Sequence, residues 1–246
     1  MAAAAAGFSA GAINSIAGGG TLISFPALVW LGLPSITANA TNTVAIWPGS
    51  LGSIWGFRKE LGQTEPRLRW LAVASLVGGG AGAVLLRLTP PGVFDRLVPF
   101  LILFATLLFT FRSAVQQRLR RASPGHTMRL LPALVFQFFV AVYGGYFGAG
   151  MSIMALAALG VIGMTDILQM NALTSLFALC INGVASLFFI SAHMVDWRYI
   201  VPMAIAAIIG GYGAAGAARR IGRTAVARLV TVVGFAMAIA LFFKRW

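Results

Sequence analysis

The sequence predicts an all-α integral membrane protein with about eight transmembrane helices, arranged as two duplicated four-span halves. Hydrophobic residues make up 59% of the 246-residue chain and charged residues 9%, whereas a soluble domain carries about 25% charged residues. Apolar stretches long enough to cross a hydrocarbon core of about 30 Å recur along the chain. A glycine-interrupted apolar segment also occurs twice, about 130 residues apart.

The predicted spans follow one another with short connections. The broken segment near the start is followed by apolar stretches at about 36–57, 70–88, 94–112, 131–149, 166–192, 198–217 and 224–243. We therefore predict a first membrane repeat over 1–112, a basic cytoplasmic linker over 113–130 and a second membrane repeat over 131–246.

The net charge of +13 comes mainly from basic residues in the short connections. The clusters at 58–69 and 112–129 are typical of cytoplasmic loops, which carry an excess of Lys and Arg and meet anionic lipid headgroups. This placement makes the lipid bilayer the partner of the basic residues and argues against nucleic acid.

The two broken segments have the same construction. A small-residue helix runs into a Gly-x-Gly break, at Gly18 and Gly20 in the first copy and at Gly148 and Gly150 in the second, and an apolar half-helix follows. Glycine inside a helix costs about 1 kcal/mol relative to alanine. Paired, interrupted apolar segments in corresponding positions of two halves point to the binding site of a transporter.

The correspondence between the halves extends beyond the glycines, at an offset that drifts slowly from 129 to 132 residues. The matched positions are Gly18 and Gly20 with Gly148 and Gly150, Asn42 with Asn171, Glu65-Pro-Arg67 with Asp196-Trp-Arg198, and Gly78-Gly79 with Gly210-Gly211. An ordered series of this kind predicts a duplication.

The sequence leaves the relative orientation of the halves open. If each broken segment crosses the membrane once as a discontinuous helix, each half has four passes, the repeats are parallel, and the basic residues divide 12 to 6. If each break is a re-entrant hairpin, each half has three passes, the repeats are inverted, and the division is 13 to 5. Both divisions satisfy the positive-inside rule.

The breaks are the first candidate site. A half-helix that begins at membrane depth presents free N–H groups and about half a positive charge, so two such ends would form an anion site. The residues predicted to bind are Gly18, Gly19, Gly20 and Thr21 at the first break and Gly148, Gly150 and Ser152 at the second. The alternative, glycines that let helices pack closely, is our prediction for Gly7, Gly11, Gly78–Gly82 and Gly210–Gly216.

The second candidate is the polar start of the span after each break. Asn42 and its counterpart Asn171 lie in apolar surroundings, and Thr174 follows Asn171 by one turn. Intramembrane amides need partners, which are either a solute or other helices. Two further features have structural interpretations: Pro48 is predicted to kink its helix and Asp166 to cap the span that follows it.

Chemistry other than transport has no support in the sequence. No catalytic triad, metal cluster or phosphate loop is present, so we predict no enzyme, cofactor or metal. Asp166 is the one ionisable residue that a span could bury, which leaves proton coupling without a clear carrier. Export of a monovalent anion from a negative interior gains about 2.3 kcal/mol per 100 mV, whereas concentrative uptake needs a partner ion that the sequence does not identify.

These residues resemble a known family. The stretch AGAINSIAGGGTLISFPALVWLGLPSITANATNTVAIWPGS and its second copy, from GGYFGAGMSIMALAALG to VDWRY, are similar to the two signatures of the TauE/SafE sulfite exporter family. The resemblance covers essentially the whole chain. It implies a prokaryotic cytoplasmic-membrane permease built from duplicated four-span units and favours the discontinuous, parallel arrangement. The matching positions are Gly18–Gly20, Gly148–Gly150, Asn42 and Asn171, although the second copy has Gly-Ala-Gly instead of three glycines.

The predicted function is a permease that moves a small sulfur-containing anion, such as sulfite or a sulfonate, outward across the membrane. One alternative is an uptake permease for organosulfonates or another small anion. Another is a membrane assembly factor or receptor that transports nothing.

Overall fold

The computed structural model describes residues 1–16, 19–121, 130–164, 166–221 and 223–243, and within these ranges every regular element is helical. In chain order the α-helices are α1 (Ala2–Ile16), α2 (Thr21–Trp30), α3 (Ser35–Ile46), α4 (Pro48–Gly56), α5 (Arg58–Gly62), α6 (Arg69–Leu88), α7 (Pro91–Arg121), α8 (Leu130–Tyr146), α9 (Met151–Val161), α10 (Ile167–Ser191), α11 (Trp197–Ile221) and α12 (Arg223–Phe243). A short 3₁₀ turn, Pro66–Leu68, precedes α6.

Several helices have the length and composition of membrane spans. Pro66–Leu88, Pro91–Ala114 and Ile167–Ser191 are long and apolar enough to cross a bilayer. The described residues also include shorter apolar helices: Thr21–Trp30, Leu130–Tyr146, Met151–Gly160, Trp197–Gly211 and Val230–Phe243. The prediction of an all-α membrane protein is confirmed at this level.

Two predicted elements differ in detail from the structure. The span predicted at 36–57 is divided into α3 and α4, which meet at Trp47. Pro48 is the first residue of α4, and since proline has no N–H to continue the helix, the predicted kink is confirmed. Helix α7 continues to Arg121, so the first part of the predicted linker is helical.

Glycines bring two pairs of helices into backbone contact. A Cβ at Gly7 or Gly11 of α1 would meet the backbone of Met203 or Ala207 in α11. In the same way, Gly78 of α6 lies against Phe138 of α8, and Gly82 against Val142. The predicted close-packing role of these glycines is confirmed. In both pairs residue numbers rise together, so α1 runs parallel to α11, and α6 to α8.

Other contacts fix the direction of the remaining long helices. Helices α7 and α12 are antiparallel, because Phe100 contacts Phe242 and the Thr110 hydroxyl lies 3.4 Å from that of Thr231. Helix α10 runs parallel to α6, since Arg69 and Leu173 line one pocket while Gly79 packs on Ile181.

Helix α10 runs antiparallel to the chain from α3 to α5. The Trp47 indole donates a hydrogen bond to the carbonyl of Leu179 at 3.2 Å, and Leu61 lines a pocket with Leu173. The segment from α3 to α5 therefore contacts α10 near Leu179 first and near Leu173, closer to the N-terminus of α10, last.

Candidate functional site

The first break lies between α1 and α2. Gly19 has a φ of +91°, a conformation that favours glycine, and a Cβ there would lie 2.8 Å from the ring of Phe109 in α7. The N–H of Gly20 donates to Oδ1 of Asn14 at 2.8 Å, and Gly20 packs against the backbone of Ala10. Gly18 falls outside the described residues.

The second break lies between α8 and α9. Gly148 and Gly150 have φ angles of +80° and +79°, so a side chain at either position would strain the backbone. The Tyr143 hydroxyl donates to the carbonyl of Ala149 at 2.7 Å. A Cβ at Gly150 would lie 3.5 Å from Cα of Ala105 in α7.

Both breaks therefore contact the same part of α7. Ala105, beside the second break, and Phe109, beside the first, are one helical turn apart, which is about 6 Å. Both lie inside the membrane-span candidate Pro91–Ala114. The rings of Phe25 in α2 and Phe147 in the second break meet edge to face, with centroids 5.3 Å apart. The sequence paired these two segments by pattern, and the structure places them on one helix.

Each half-helix begins without a side-chain cap. The residues before α2 and α9 are Gly20 and Gly150, neither of which supplies a capping hydrogen bond. Among the described residues, the backbone N–H groups of Thr21 and Ser152 have no acceptor. Uncapped N–H groups with the positive end of the helix dipole are suited to an anionic ligand.

A buried polar stripe follows the first half-helix, at the start of α3. Ser35, Asn39 and Asn42 occupy positions i, i+4 and i+7, which share one face of a helix, and each is at most 2% exposed. Nδ2 of Asn39 donates to the carbonyl of Tyr146, the last residue of α8, at 2.9 Å. Neither polar atom of the Asn42 amide has a hydrogen-bond partner, and the same holds for Oδ1 of Asn39 and Oγ of Ser35.

Asn171 and Thr174 lie elsewhere. Both are in the first two turns of α10, at the end of this helix that faces Leu61. Trp47 packs against Gly183 of α10, and α3 runs antiparallel to α10, so Asn42 lies level with a position beyond Gly183, at least about 18 Å along α10 from Asn171. Thr174 donates its hydroxyl to the carbonyl of Met170 in its own helix. The structure thus brings Asn42, but not Asn171, towards the breaks.

One basic residue stands out from the rest. Every other described Lys or Arg side chain is exposed, whereas Arg112 is half-buried. It lies inside the span candidate Pro91–Ala114, and its guanidinium sits over the ring of Phe109, 4.3 Å from the centroid. Gly19 contacts the same ring. The sequence groups Arg112 with the basic residues of the loop at 112–129, but its position at the end of an apolar stretch, three residues after Phe109, indicates a residue at the membrane boundary.

Asp166 has the structural role that the sequence predicts. Its carboxylate accepts hydrogen bonds from the backbone N–H groups of Leu168 at 2.8 Å and Gln169 at 3.3 Å, and it caps α10. In the described part of the chain, no group of three or more His, Cys, Asp and Glu residues could hold a metal ion.

Comparisons with known proteins point to membrane transport. Residues 3–241 match the family model described as "Sulfite exporter TauE/SafE". A "Probable membrane transporter protein" of Haemophilus influenzae is 27% identical over 94% of this chain and 89% of its own length. The "Probable membrane transporter protein YfcA" of Escherichia coli K12 is 30% identical over 82% of this chain and 74% of its own length. A Sinorhizobium "Probable membrane transporter protein ORF9" is 26% identical over 96% and 89%.

No solved structure matches the chain. The family model nevertheless spans almost all of the sequence, and its curated relatives are membrane transporters rather than enzymes. The chain therefore belongs to the TauE/SafE sulfite exporter family, as a multi-pass membrane transporter similar to bacterial proteins.

Proposed function

We propose that the protein is a permease of the prokaryotic cytoplasmic membrane that exports a small sulfur-containing anion, such as sulfite or a sulfonate. The anion binds between the uncapped starts of α2 and α9. The observation that carries this proposal is the convergence of both starts on one turn of α7, at Ala105 and Phe109. Thr21 and Ser152 offer free backbone N–H groups there, and their hydroxyls add donors.

Arg112 supplies the full positive charge that the backbone lacks. Its guanidinium is 4.3 Å from the centre of the Phe109 ring, and a Cβ built at Gly19 would lie 2.8 Å from the ring's edge, so the charge lies at most about 9 Å from that position in the first break. An ionisable residue inside a span is a functional candidate by default. Arg112 attracts the anion to the break and discriminates against neutral and cationic solutes.

We also propose that the two broken segments are re-entrant hairpins in two duplicated, inverted halves. Helices α8 and α10 both run parallel to α6, so α9, which connects them, has to return towards the side from which α8 entered. In the first half, Gly20 lies back against Ala10, which requires the chain to reverse after α1. The antiparallel pairing of α7 with its sequence counterpart α12 is the arrangement expected of inverted repeats.

Cysteine accessibility separates the hairpin arrangement from the discontinuous one. The chain has one cysteine, Cys180, so Cys180→Ser gives a cysteine-free background. In that background Ser191→Cys should react from outside intact cells with an impermeant maleimide, as Thr89→Cys does, because hairpins place 191 outside. Gln63→Cys, cytoplasmic in both arrangements, is the inner control. Reaction of Ser191→Cys only after permeabilisation would establish discontinuous helices instead.

The remaining predicted site residues keep different roles in this proposal. Asn42 borders the central site. Asn171 and Thr174, at the far end of α10, line the approach on that side. The basic linker over 113–130 remains assigned to the cytoplasm.

Transport by purified protein tests the function. Proteoliposomes loaded with labelled sulfite or methanesulfonate should release it faster than protein-free vesicles, and faster still with the negative potential on the loaded side. Uptake that exceeds release under every imposed potential would favour the uptake permease. No flux across a broad panel of anions would leave the assembly factor or receptor.

Substitutions at the half-helix starts test the site. Gly20→Leu and Gly150→Leu are poor probes because both would disturb the fold. A side chain at Gly20 would clash with the Ala10 backbone, and a side chain at Gly150 would be strained by its positive φ. Thr21→Val and Ser152→Ala each remove one hydroxyl donor worth about 1 kcal/mol, so KM should rise about 5-fold at unchanged expression. Thr89→Val, whose hydroxyl bonds to Leu85 of its own helix, is the matched control.

A further inference from the structure

The polar stripe on α3 has more unpaired atoms than a dry core tolerates. Ser35, Asn39 and Asn42 are between 1% and 2% exposed, and four of their side-chain atoms lack a hydrogen-bond partner. Each buried unsatisfied group costs about 1–3 kcal/mol. Packing alone would favour apolar residues at these positions, so the stripe faces water or a polar solute for part of the protein's working cycle.

The stripe extends from the surface of the protein into its interior. Ser35 is the first residue of α3, directly after the exposed Pro34, and Asn42 lies seven residues further in, which is about 10 Å along the helix. These atoms are too widely spaced to hold one ion together. Successive groups about 5–6 Å apart are suited instead to handing a solute from one to the next.

The middle of the stripe reaches the break region. Asn39 is hydrogen-bonded to Tyr146 at the end of α8, and the next residue, Phe147, packs against Phe25 of α2. The stripe thus runs from the surface of the protein, at Pro34, to the region where both broken segments meet. Arg112 lies beyond Phe109, towards the C-terminal end of α7 and the basic linker.

We propose that Ser35, Asn39 and Asn42 form the outer half of the solute path, a hydrated track for the anion between the central site and the outer face. This rests on the proposed transport function. The neutral amide and hydroxyl groups replace part of the anion's hydration shell without holding it. Asn42, with its Nδ2 donor unpartnered, receives the anion from the half-helix starts, and Ser35 is the last contact before the outer solution.

Thiol labelling in the Cys180→Ser background tests the track. Ser35→Cys and Asn42→Cys are prepared with Ala38→Cys as the matched control, because Ala38 is on the same helix and is fully buried at 0% exposure. The probe is the anionic sulfonate reagent (2-sulfonatoethyl) methanethiosulfonate, added to the outside of intact cells. Both track variants should react at least 10-fold faster than Ala38→Cys, and methanesulfonate should slow the reaction.

The outcomes separate this inference from the proposed function. If the Cys180→Ser protein transports the anion and all three positions react equally slowly, the track is overturned while the permease stands. If the track positions react rapidly but no anion is transported, the stripe is a water-filled cavity and the solute path is overturned together with the transport function. Reaction at Ser35→Cys but not at Asn42→Cys would end the track before the central site and also overturn the proposal.

Discussion

Replacement of Arg112 by glutamine isolates the one half-buried positive charge beside the first break. A monovalent anion about 9 Å from the guanidinium, the separation set by the Phe109 ring, gains about 1.8 kcal/mol at an effective dielectric constant of 20. Since 1.36 kcal/mol corresponds to a factor of ten, Arg112→Gln should raise the KM for anion transport about 20-fold. Arg112→Lys keeps the charge and should recover most of the affinity.

The assay is initial flux of labelled sulfite or methanesulfonate from proteoliposomes at several anion concentrations. Arg96→Gln is the control, because Arg96 is on the same helix but exposed and far from both breaks. Thermal unfolding in detergent shows whether each variant retains its fold. If Arg112→Gln keeps its melting temperature and has the same KM as Arg96→Gln, the charge plays no part in anion recognition and the reasoning is refuted.

Three stability predictions follow from the helix contacts. Gly82→Ala places a Cβ against the Val142 carbonyl and should lower stability by about 1–3 kcal/mol, measured as melting temperature. Gly49→Ala adds a Cβ in open space within α4 and should leave the melting temperature unchanged or raise it, because alanine favours a helix. Ser75→Ala removes the acceptor of the buried 2.8 Å hydrogen bond from Gln137 and should cost about 1–3 kcal/mol; a melting temperature equal to that of the wild type would show that the amide finds another partner. Asp166→Ala removes a helix cap worth about 1 kcal/mol and should leave anion KM unchanged; a raised KM would give Asp166 a role beyond capping.

Features that depend on near neighbours in the chain could be predicted from the sequence. The Asp166 cap, the Pro48 kink and the close-packing role of Gly78 and Gly82 follow from local chemistry or from small residues at helical spacing. The Ser35–Asn39–Asn42 stripe was also open to this reasoning, since its spacing is that of one helix face. Its importance depends on burial and on missing hydrogen-bond partners, which only the structure shows.

Features that depend on helix direction could not be predicted. Corresponding positions in a duplicated sequence suggest that Asn42 and Asn171 share a site, but α3 and α10 run antiparallel, so equivalent residues lie towards opposite ends of the pair. The positive-inside rule allowed both arrangements of the breaks, because the charged loops at 58–69 and 112–129 fall on one side in each. Arg112 is a site candidate only because its guanidinium lies on the Phe109 ring, and Phe109 packs against Gly19, 90 positions earlier in the chain.

The glycine contacts join helices from different halves of the sequence. Helix α1, from the first half of the sequence, packs closely against α11 of the second half. Helix α8 of the second half packs in the same way against α6 of the first. Cutting the chain in the linker would therefore yield two fragments that each lack the partner of their first helix. We therefore expect neither fragment to fold by itself. Any rocking motion during transport divides the protein into two mixed bundles rather than into its two sequence halves.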